Sequence, residues 1–241
     1  MLVTNVFATE HYSTILQQGN TSYKTENYEE ASKLYTEVLA ANYESSALYF
    51  NLGNCYYKLN QIPDAILNYE KALKLNLGNS DIKFNLTIAN KQITDKLETI
   101  PKLFITQWWN SFTQLFNIDT WAWIVILSLL FAVALFALFK LSNTEFTKKT
   151  SFYGFLLLLC LTFTAYLSGS KQKQLRENST EAIIFAPSLT VKSSPATNSQ
   201  DLFLIHEGTK VSLLETVDDW YKVSIPDGNT GWIPISAAKQ I

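Results

Sequence analysis

The spacing of hydrophobic residues changes twice along the 241-residue chain. In the first hundred residues, apolar positions recur every three or four residues between polar ones, which is typical of amphipathic helices. Two later runs, 120–139 and 150–170, contain no charged residue, and residues 182–241 alternate short β-branched runs with turn residues. These patterns predict a multidomain protein with an α-helical solenoid, a two-helix transmembrane hairpin and a small all-β barrel.

An internal repeat lies in the helical part. The segment 53–69, GNCYYKLNQIPDAILNY, aligns with the segment 19–35, GNTSYKTENYEEASKLY. The step between the two copies, a period of about 34 residues, is typical of a helix–turn–helix solenoid, in which small residues lie where two helices approach closely. The identical pairs are Gly19 and Gly53, Asn20 and Asn54, Tyr23 and Tyr57, Lys24 and Lys58, Ala31 and Ala65, and Tyr35 and Tyr69.

Residues 12–79 resemble two tetratricopeptide (TPR) repeats, at about 12–45 and 46–79. A capping helix is expected over 80–97, which closes a repeat domain of residues 10–97. The glycine, alanine and aromatic positions match the family, whereas Gln18 and Val38 depart from it in the first unit. The closing prolines of the family are replaced by Tyr43 and Leu77.

The resemblance implies a concave face that binds protein partners through the first helix of each pair. The repeated asparagines could bond a ligand backbone, because one amide both donates and accepts, and the repeated lysines favour acidic groups. Alternatively, the tyrosines of this face simply pack against the next helix. Carried over position by position, the partner-binding residues are Asn20, Tyr23, Lys24, Phe50, Asn54, Tyr57 and Lys58.

Each uncharged run is long enough to cross a bilayer, because a helix rises about 1.5 Å per residue and the hydrocarbon core is about 30 Å thick. We expect spans at 120–141 and 150–169. The loop between them, 142–149, is short, so the soluble parts on either side of this hairpin lie on the same side of the membrane. A linker of residues 170–181 follows.

Residues 98–119 are predicted to form an amphipathic linker at the bilayer surface, with large apolar side chains on one helical face. The alternative is a linker helix packed on the repeat domain. The lysines flanking the spans are too evenly divided to orient them. The expected membrane-interface residues are Trp108, Trp109, Trp121 and Trp123.

The first residues, MLVTNVFA, are too short for a secretory signal. However, Val6, Phe7 and Ala8 resemble the end of one. The sequence therefore leaves open whether a signal peptide precedes this start.

Residues 182–241 resemble a bacterial SH3-like domain through VKSSP, HEGTKV, DDWYKV and GWI in that order. Five strand-like runs in about 60 residues predict a small closed barrel, since closure removes unpaired edges. Trp220 and Trp232 are expected to be packing aromatics, and His206 is expected to be a loop residue.

Composition argues against several functions. The net charge of −2 with no basic cluster disfavours nucleic-acid binding. Two cysteines and two histidines, scattered along the chain, offer little material for a metal site or a nucleophile. No P-loop, GxSxG, HExxH or GxGxxG motif is present, so we expect no catalytic residue, metal or cofactor.

The order of the modules is similar to that of the Bat-type aerotolerance proteins of the Bacteroidetes, and of their BatE-like members in particular. The similarity is carried by LYFNLGNCYYKLNQIPDAILNYEKALKLN, IKFNL, DTWAW and the terminal β region. It implies a multi-pass subunit of a bacterial inner-membrane complex, with both soluble modules in the periplasm and partners that carry von Willebrand factor A-type domains. The expected function is a non-enzymatic scaffold. The alternative is an envelope-sensing regulator whose β domain binds cell-wall polymer.

Overall fold

A computed structural model describes residues 2–96, 103–178 and 180–241. The chain forms two compact units. One combines Met1–Pro101 with Thr180–Ile241, and the other is Lys102–Ser179. We call residues 2–96 the repeat region, residues 180–241 the β module and residues 103–178 the hairpin unit.

The repeat region consists of five helices that follow the period of the sequence. Asn27 and Ser45 cap the second and third helices by accepting hydrogen bonds from the backbone N–H of Glu30 and Leu48. The turns repeat as well, since Glu26 and Asn60, which are one period apart, both have a positive φ. The helices are α1 (Leu2–Lys24), α2 (Tyr28–Ala40), α3 (Ser46–Lys58), α4 (Ile62–Leu75) and α5 (Ser80–Asn90).

The predicted capping helix over 80–97 is shorter in the structure. α5 ends at Asn90 and turns follow as far as Lys96, while residue 97 lies outside the described residues. The helix ends here because Ile93 packs into the hydrophobic core and Asp95 bonds to the β module.

The β module is one antiparallel sheet with the strand order β3-β2-β6-β5-β4-β1-β7. This order has no pairing between β3 and β7, so the described strands lack a hydrogen-bonded closure, although buried residues of β1 and β3 share one hydrophobic cluster. The sequence pattern predicted five strands because it missed the short first and last ones. The strands are β1 (Glu181–Ile184), β2 (Ser188–Lys192), β3 (Asp201–His206), β4 (Lys210–Val217), β5 (Trp220–Ser224), β6 (Thr230–Pro234) and β7 (Ala238–Gln240).

The repeat region and the β module share a hydrophobic core. Ile66 of α4 and Ile183 of β1 are both fully buried in the same cluster, against which Phe185 and Ile241 also pack. At its edge, Lys74 Nζ donates to the backbone oxygen of Ile241 at 3.0 Å. The two modules therefore fold as one body, whereas the sequence suggested separate domains.

The hairpin unit contains α6 (Phe104–Thr113), α7 (Ile118–Leu141) and α8 (Glu145–Asn178). The predicted loop 142–149 is reduced to Ser142–Thr144, because α8 already begins at Glu145. α8 also continues through most of the predicted linker 170–181, where lysine, glutamine and leucine favour a helix. Residues 98–102 of the amphipathic linker lie outside the described residues.

Burial within the hairpin unit is inverted relative to a water-soluble core. Apart from Trp121 near the start of α7, the buried side chains of α7 and α8 are small or polar, and Ser128 Oγ lies 2.8 Å from Thr162 Oγ1. Leucine and phenylalanine side chains of both helices are exposed instead. α7 and the segment Glu145–Leu175 are long and apolar enough to cross a membrane. The buried residues include Ser128, Ala132, Ser151, Ala165 and Ser168.

Candidate partner-binding groove

A cavity of about 210 Å³ opens on the repeat region between α1, α3 and α5. We call it the groove. Four of the seven predicted binding residues line it, namely Tyr23, Asn54, Tyr57 and Lys58. The remaining lining residues are Tyr69, Asn85 and Ile88.

The floor of the groove is built by a glycine, an asparagine and a tyrosine of the second repeat. An added Cβ at Gly53 would lie 2.7 Å from ring atoms of Tyr69, so only glycine lets this ring pack against α3. The Tyr69 hydroxyl then donates to Asn54 Oδ1 at 2.8 Å. Gly53 therefore leaves space for the ring of Tyr69, and Asn54 accepts the hydrogen bond from its hydroxyl group.

The first repeat has the same arrangement. An added Cβ at Gly19 would lie 2.8 Å from the Tyr35 ring, and the Tyr35 hydroxyl donates to Asn20 Oδ1 at 2.8 Å. The periodic recurrence of glycine, asparagine and tyrosine thus reflects packing between paired helices.

This packing limits the role predicted for Asn54. Asn54 Oδ1 accepts a second hydrogen bond from Asn85 Nδ2 at 2.8 Å. A carbonyl oxygen has two lone pairs, so both are used within the protein. The oxygen of Asn54 does not act as an acceptor for a ligand, although the residue lines the groove.

The structure does not bring the other three predicted residues into the lining. Asn20 is bonded to Tyr35, and Lys24 is exposed in the last turn of α1. Phe50 packs on Tyr69, with ring centroids 5.9 Å apart, and is therefore mainly a core residue.

Two lining residues that sequence reasoning missed come from α5. Asn85 lies one period after Asn51, and Ile88 lies one period after Asn54. The period could have found both, because α5 takes the position of a third first helix. Because the repeated glycine is lost at this step, the sequence pattern predicts a capping helix here and not a further part of the binding face.

The side chains of the groove offer donors and one positive charge. Burial raises the pKa of Tyr69 and of Tyr23, so both phenols remain protonated. Lys58 is exposed, and its Nζ lies 6.0 Å from the centre of the Tyr28 ring. The groove therefore suits a ligand with acceptor or acidic groups.

Cys55 lies on the same helix but is not a nucleophile. It is fully buried, and burial raises the pKa of its thiol to about 12. A neutral, inaccessible thiol is a packing group. Among the described residues, no three His, Cys, Asp or Glu side chains form a cluster that could hold a metal ion.

The predicted interface tryptophans divide into two groups. Trp108 and Trp123 are 59% and 62% exposed, and Trp109 is half-buried. Trp121 is only 3% exposed, and its indole N–H donates to the backbone oxygen of Thr113 at 2.9 Å. Gln172 Nε2 bonds to the same oxygen, so Trp121 joins α6 to the hairpin instead of facing outward.

The remaining predicted residues, two tryptophans and a histidine, lie in the β module. Trp220 and Trp232 are half-buried, and Lys222 Nζ lies 5.8 Å from the centre of the Trp232 ring. His206 is not a free loop residue. It ends β3, and its Nδ1 lies 2.7 Å from Asp95 Oδ1 of the repeat region.

Comparison with known families identifies both modules. Residues 187–238 match the bacterial SH3 domain, and residues 46–79 match the tetratricopeptide repeat. The chain thus contains a helical TPR-like region followed by an antiparallel sheet that resembles an SH3 domain.

Individual relatives cover smaller parts of the chain. Sperm-associated antigen 1 of Rattus norvegicus is 32% identical over 37% of this chain, and Hsp70-Hsp90 organizing protein 1 of Glycine max is 36% identical over 23%. The chain spans about a tenth of the length of each. A TPR repeats protein from Bacteroides fragilis aligns with 72% of this chain and 84% of its own at 15% identity, with a TM-score of 0.32.

Proposed function

We propose that this protein is a non-enzymatic, membrane-anchored adaptor that binds an acidic segment of a protein partner in the groove. TPR and SH3 domains fit a protein-interaction role. The observation that carries the proposal is the groove itself, in which Tyr23, Tyr57 and Lys58 converge from two repeats. An acidic segment would accept hydrogen bonds from the phenol groups and pair with the single lysine of the lining.

The membrane anchor is proposed from the inverted burial of the hairpin unit. Between membrane helices, small residues allow close approach and hydroxyl groups bond across the contact. The buried Ser128 with its partner Thr162 supports this assignment, as does the exposed apolar surface of α7 and α8. The exposed Leu103, Phe104 and Trp108 of the α6 region suit the bilayer surface.

Both soluble modules belong on the same side of that membrane. The shared core of Ile66 and Ile183 supports this placement, because a core cannot be divided by a bilayer. An even number of crossings between residues 103 and 178 follows, which agrees with two spans.

The cellular setting is proposed from the order of the modules. We assign the protein to the Bat-type aerotolerance systems, as a BatE-like subunit in the bacterial inner membrane with its soluble modules in the periplasm. The bound segment would then belong to a membrane protein that carries a von Willebrand factor A-type domain.

The groove is tested by affinity capture from detergent extracts of the full-length protein. Lys58→Glu reverses the charge of the groove without touching the bond between Tyr69 and Asn54, and we expect it to release an acidic partner. Lys33→Glu, an exposed change on α2, is the matched control. Equal capture by both variants would exclude the groove as the binding site.

The membrane arrangement is tested with reporters active on only one side of the bilayer. We would fuse them after Ile241 and next to Thr144. The C-terminal fusion should be active outside the cytoplasm and the loop fusion inside it. Activity of both fusions on the same side would rule out the hairpin.

A further inference from the structure

We propose that the segment Lys91–Lys96, here called the strap, couples the groove to the β module, so that a ligand in the groove and the docked β module stabilise each other. The strap begins directly after α5 and contacts both partners within four residues. The inference rests on the proposed function for the identity of the groove as a binding site.

At the groove, the strap holds a lining residue. Gln92 Nε2 donates to the Tyr57 hydroxyl at 2.6 Å. The phenol accepts this bond and can donate its own proton to a ligand. When a carboxylate takes that proton in a hydrogen bond, the phenol oxygen becomes a stronger acceptor for Gln92, because linked hydrogen bonds polarise one another. Ligand binding at Tyr57 therefore tightens the strap.

The next residue of the strap contacts the β module through packing. Ile93 lies against Gly208, where an added Cβ would be 2.5 Å from Ile93 Cγ2. Gly208 also has a φ of +82°, which other residues rarely adopt. The turn before β4 is thus shaped to receive this side chain.

Two residues later, the strap is fixed by hydrogen bonds. Asp95 Oδ2 accepts from the backbone N–H of His206 and from Thr209 Oγ1, both at 2.7 Å. The other oxygen of Asp95 lies 2.7 Å from His206 Nδ1. Thr209 is 1% exposed, so this contact is shielded from water.

From this turn the contacts continue into the shared core. The Gly208 N–H donates to the oxygen of Ile184 at 2.8 Å, and the Ile184 N–H donates to the oxygen of Thr209 at 3.0 Å. The neighbouring Ile183 packs on α4. A chain of direct contacts therefore joins Tyr57 to the strand that docks the β module, and the resulting linkage is reciprocal.

The coupling is tested by amide hydrogen exchange on the full-length protein in detergent. Tyr57→Phe removes the oxygen that Gln92 bonds and keeps the ring. We expect the amides of Ile184 and Gly208 to exchange about threefold to fivefold faster, which corresponds to the loss of one hydrogen bond. Tyr23→Phe, on the opposite wall of the groove, is the control and should leave both amides unchanged.

Exchange at Val38 in α2 separates coupling from general destabilisation. In Tyr57→Phe, Val38 should exchange as in the wild type. An equal increase at Val38 and at Gly208 would overturn the proposal, as would unchanged exchange at Gly208.

Coupling from the β module to the groove is tested with Thr209→Val. This change removes one hydrogen bond to Asp95 and keeps the side-chain volume. Faster exchange in the last turn of α3 is expected, and unchanged exchange there would contradict reciprocity. If the groove is not the binding site, the Lys58→Glu variant still captures the partner, while Tyr57→Phe still speeds amide exchange at Gly208. The two proposals can therefore fail separately.

Discussion

Tyr69 donates its hydroxyl proton to Asn54 while its ring occupies the space that any side chain at position 53 would need. The same relation joins Tyr35 to Asn20 in the preceding repeat. The most regular feature of the sequence is therefore a structural contact between paired helices, and the groove is formed on top of it.

Gly53→Ala is expected to lower the free energy of unfolding by about 1–2 kcal/mol. Overpacking against the Tyr69 ring costs about 1–3 kcal/mol, and the better helix propensity of alanine offsets up to about 1 kcal/mol of that. Thermal unfolding followed by circular dichroism measures the change. Gly78→Ala is the control, because Gly78 is exposed and does not have a positive φ. A stabilised Gly53→Ala variant would contradict the packing described.

Tyr69→Phe removes only the hydroxyl and should reduce stability by about 1 kcal/mol, the usual net value of one hydrogen bond. Asn54 keeps its second bond to Asn85 in this variant. Denaturation with urea gives the difference in stability. No change relative to the wild type would mean that ring packing alone holds the helices together.

The sequence predicted the repeats because their packing recurs at a fixed period. It did not predict the role of Asn54, since periodicity shows that a position is constrained but not which neighbour constrains it. Nor did it predict the contact of Asp95 with His206, which are 111 residues apart and belong to different patterns. The burial of Trp121 was missed for a similar reason, because the Thr113 oxygen that its indole N–H bonds lies on another helix.

Lys210→Met should destabilise the protein by about 2 kcal/mol. Lys210 bridges Glu70 and Glu181 at 2.9 and 2.8 Å, and its loss leaves the buried Glu70 without a cation. Adding Glu70→Gln to this variant should recover much of the loss, because the unpaired charge is removed. Unfolding by heat of both variants provides the comparison, and an additive loss in the double variant would argue against a paired contact.

The docking of the β module should weaken at acid pH. Burial raises the pKa of Asp95, but hydrogen bonds from Thr209 and His206 outweigh burial and lower it below the ordinary value. A lowered carboxyl pKa contributes stability above its unfolded value of about 4, and this contribution is lost as the pH falls through the folded value.

The wild type should therefore lose more thermal stability between pH 6 and pH 2.5 than Asp95→Asn does. Glu37→Gln, an exposed change on α2, should behave as the wild type. Identical pH profiles for wild type and Asp95→Asn would show that this carboxylate does not stabilise the docked state.

Trp108 and Trp121 should respond differently to brominated phospholipids in reconstituted vesicles. In variants that retain a single tryptophan, the exposed Trp108 should be quenched strongly and the buried Trp121 weakly. Bromine quenches on contact, so the ratio reports which ring faces lipid. Stronger quenching of Trp121 would require a different packing of α6 on the hairpin.

The shared core of Ile66 and Ile183 also constrains how the protein is made. The ribosome completes the repeat region more than eighty residues before it begins the β module. Until then, the face of α4 that receives β1 remains uncovered and suitable for a chaperone. In the hairpin proposed above, this face is covered only after both spans have entered the membrane, because a single inserted span would leave the last sixty residues on the wrong side. Under that proposal, correct insertion is a precondition for covering this face of α4, and a misinserted chain leaves a hydrophobic surface exposed.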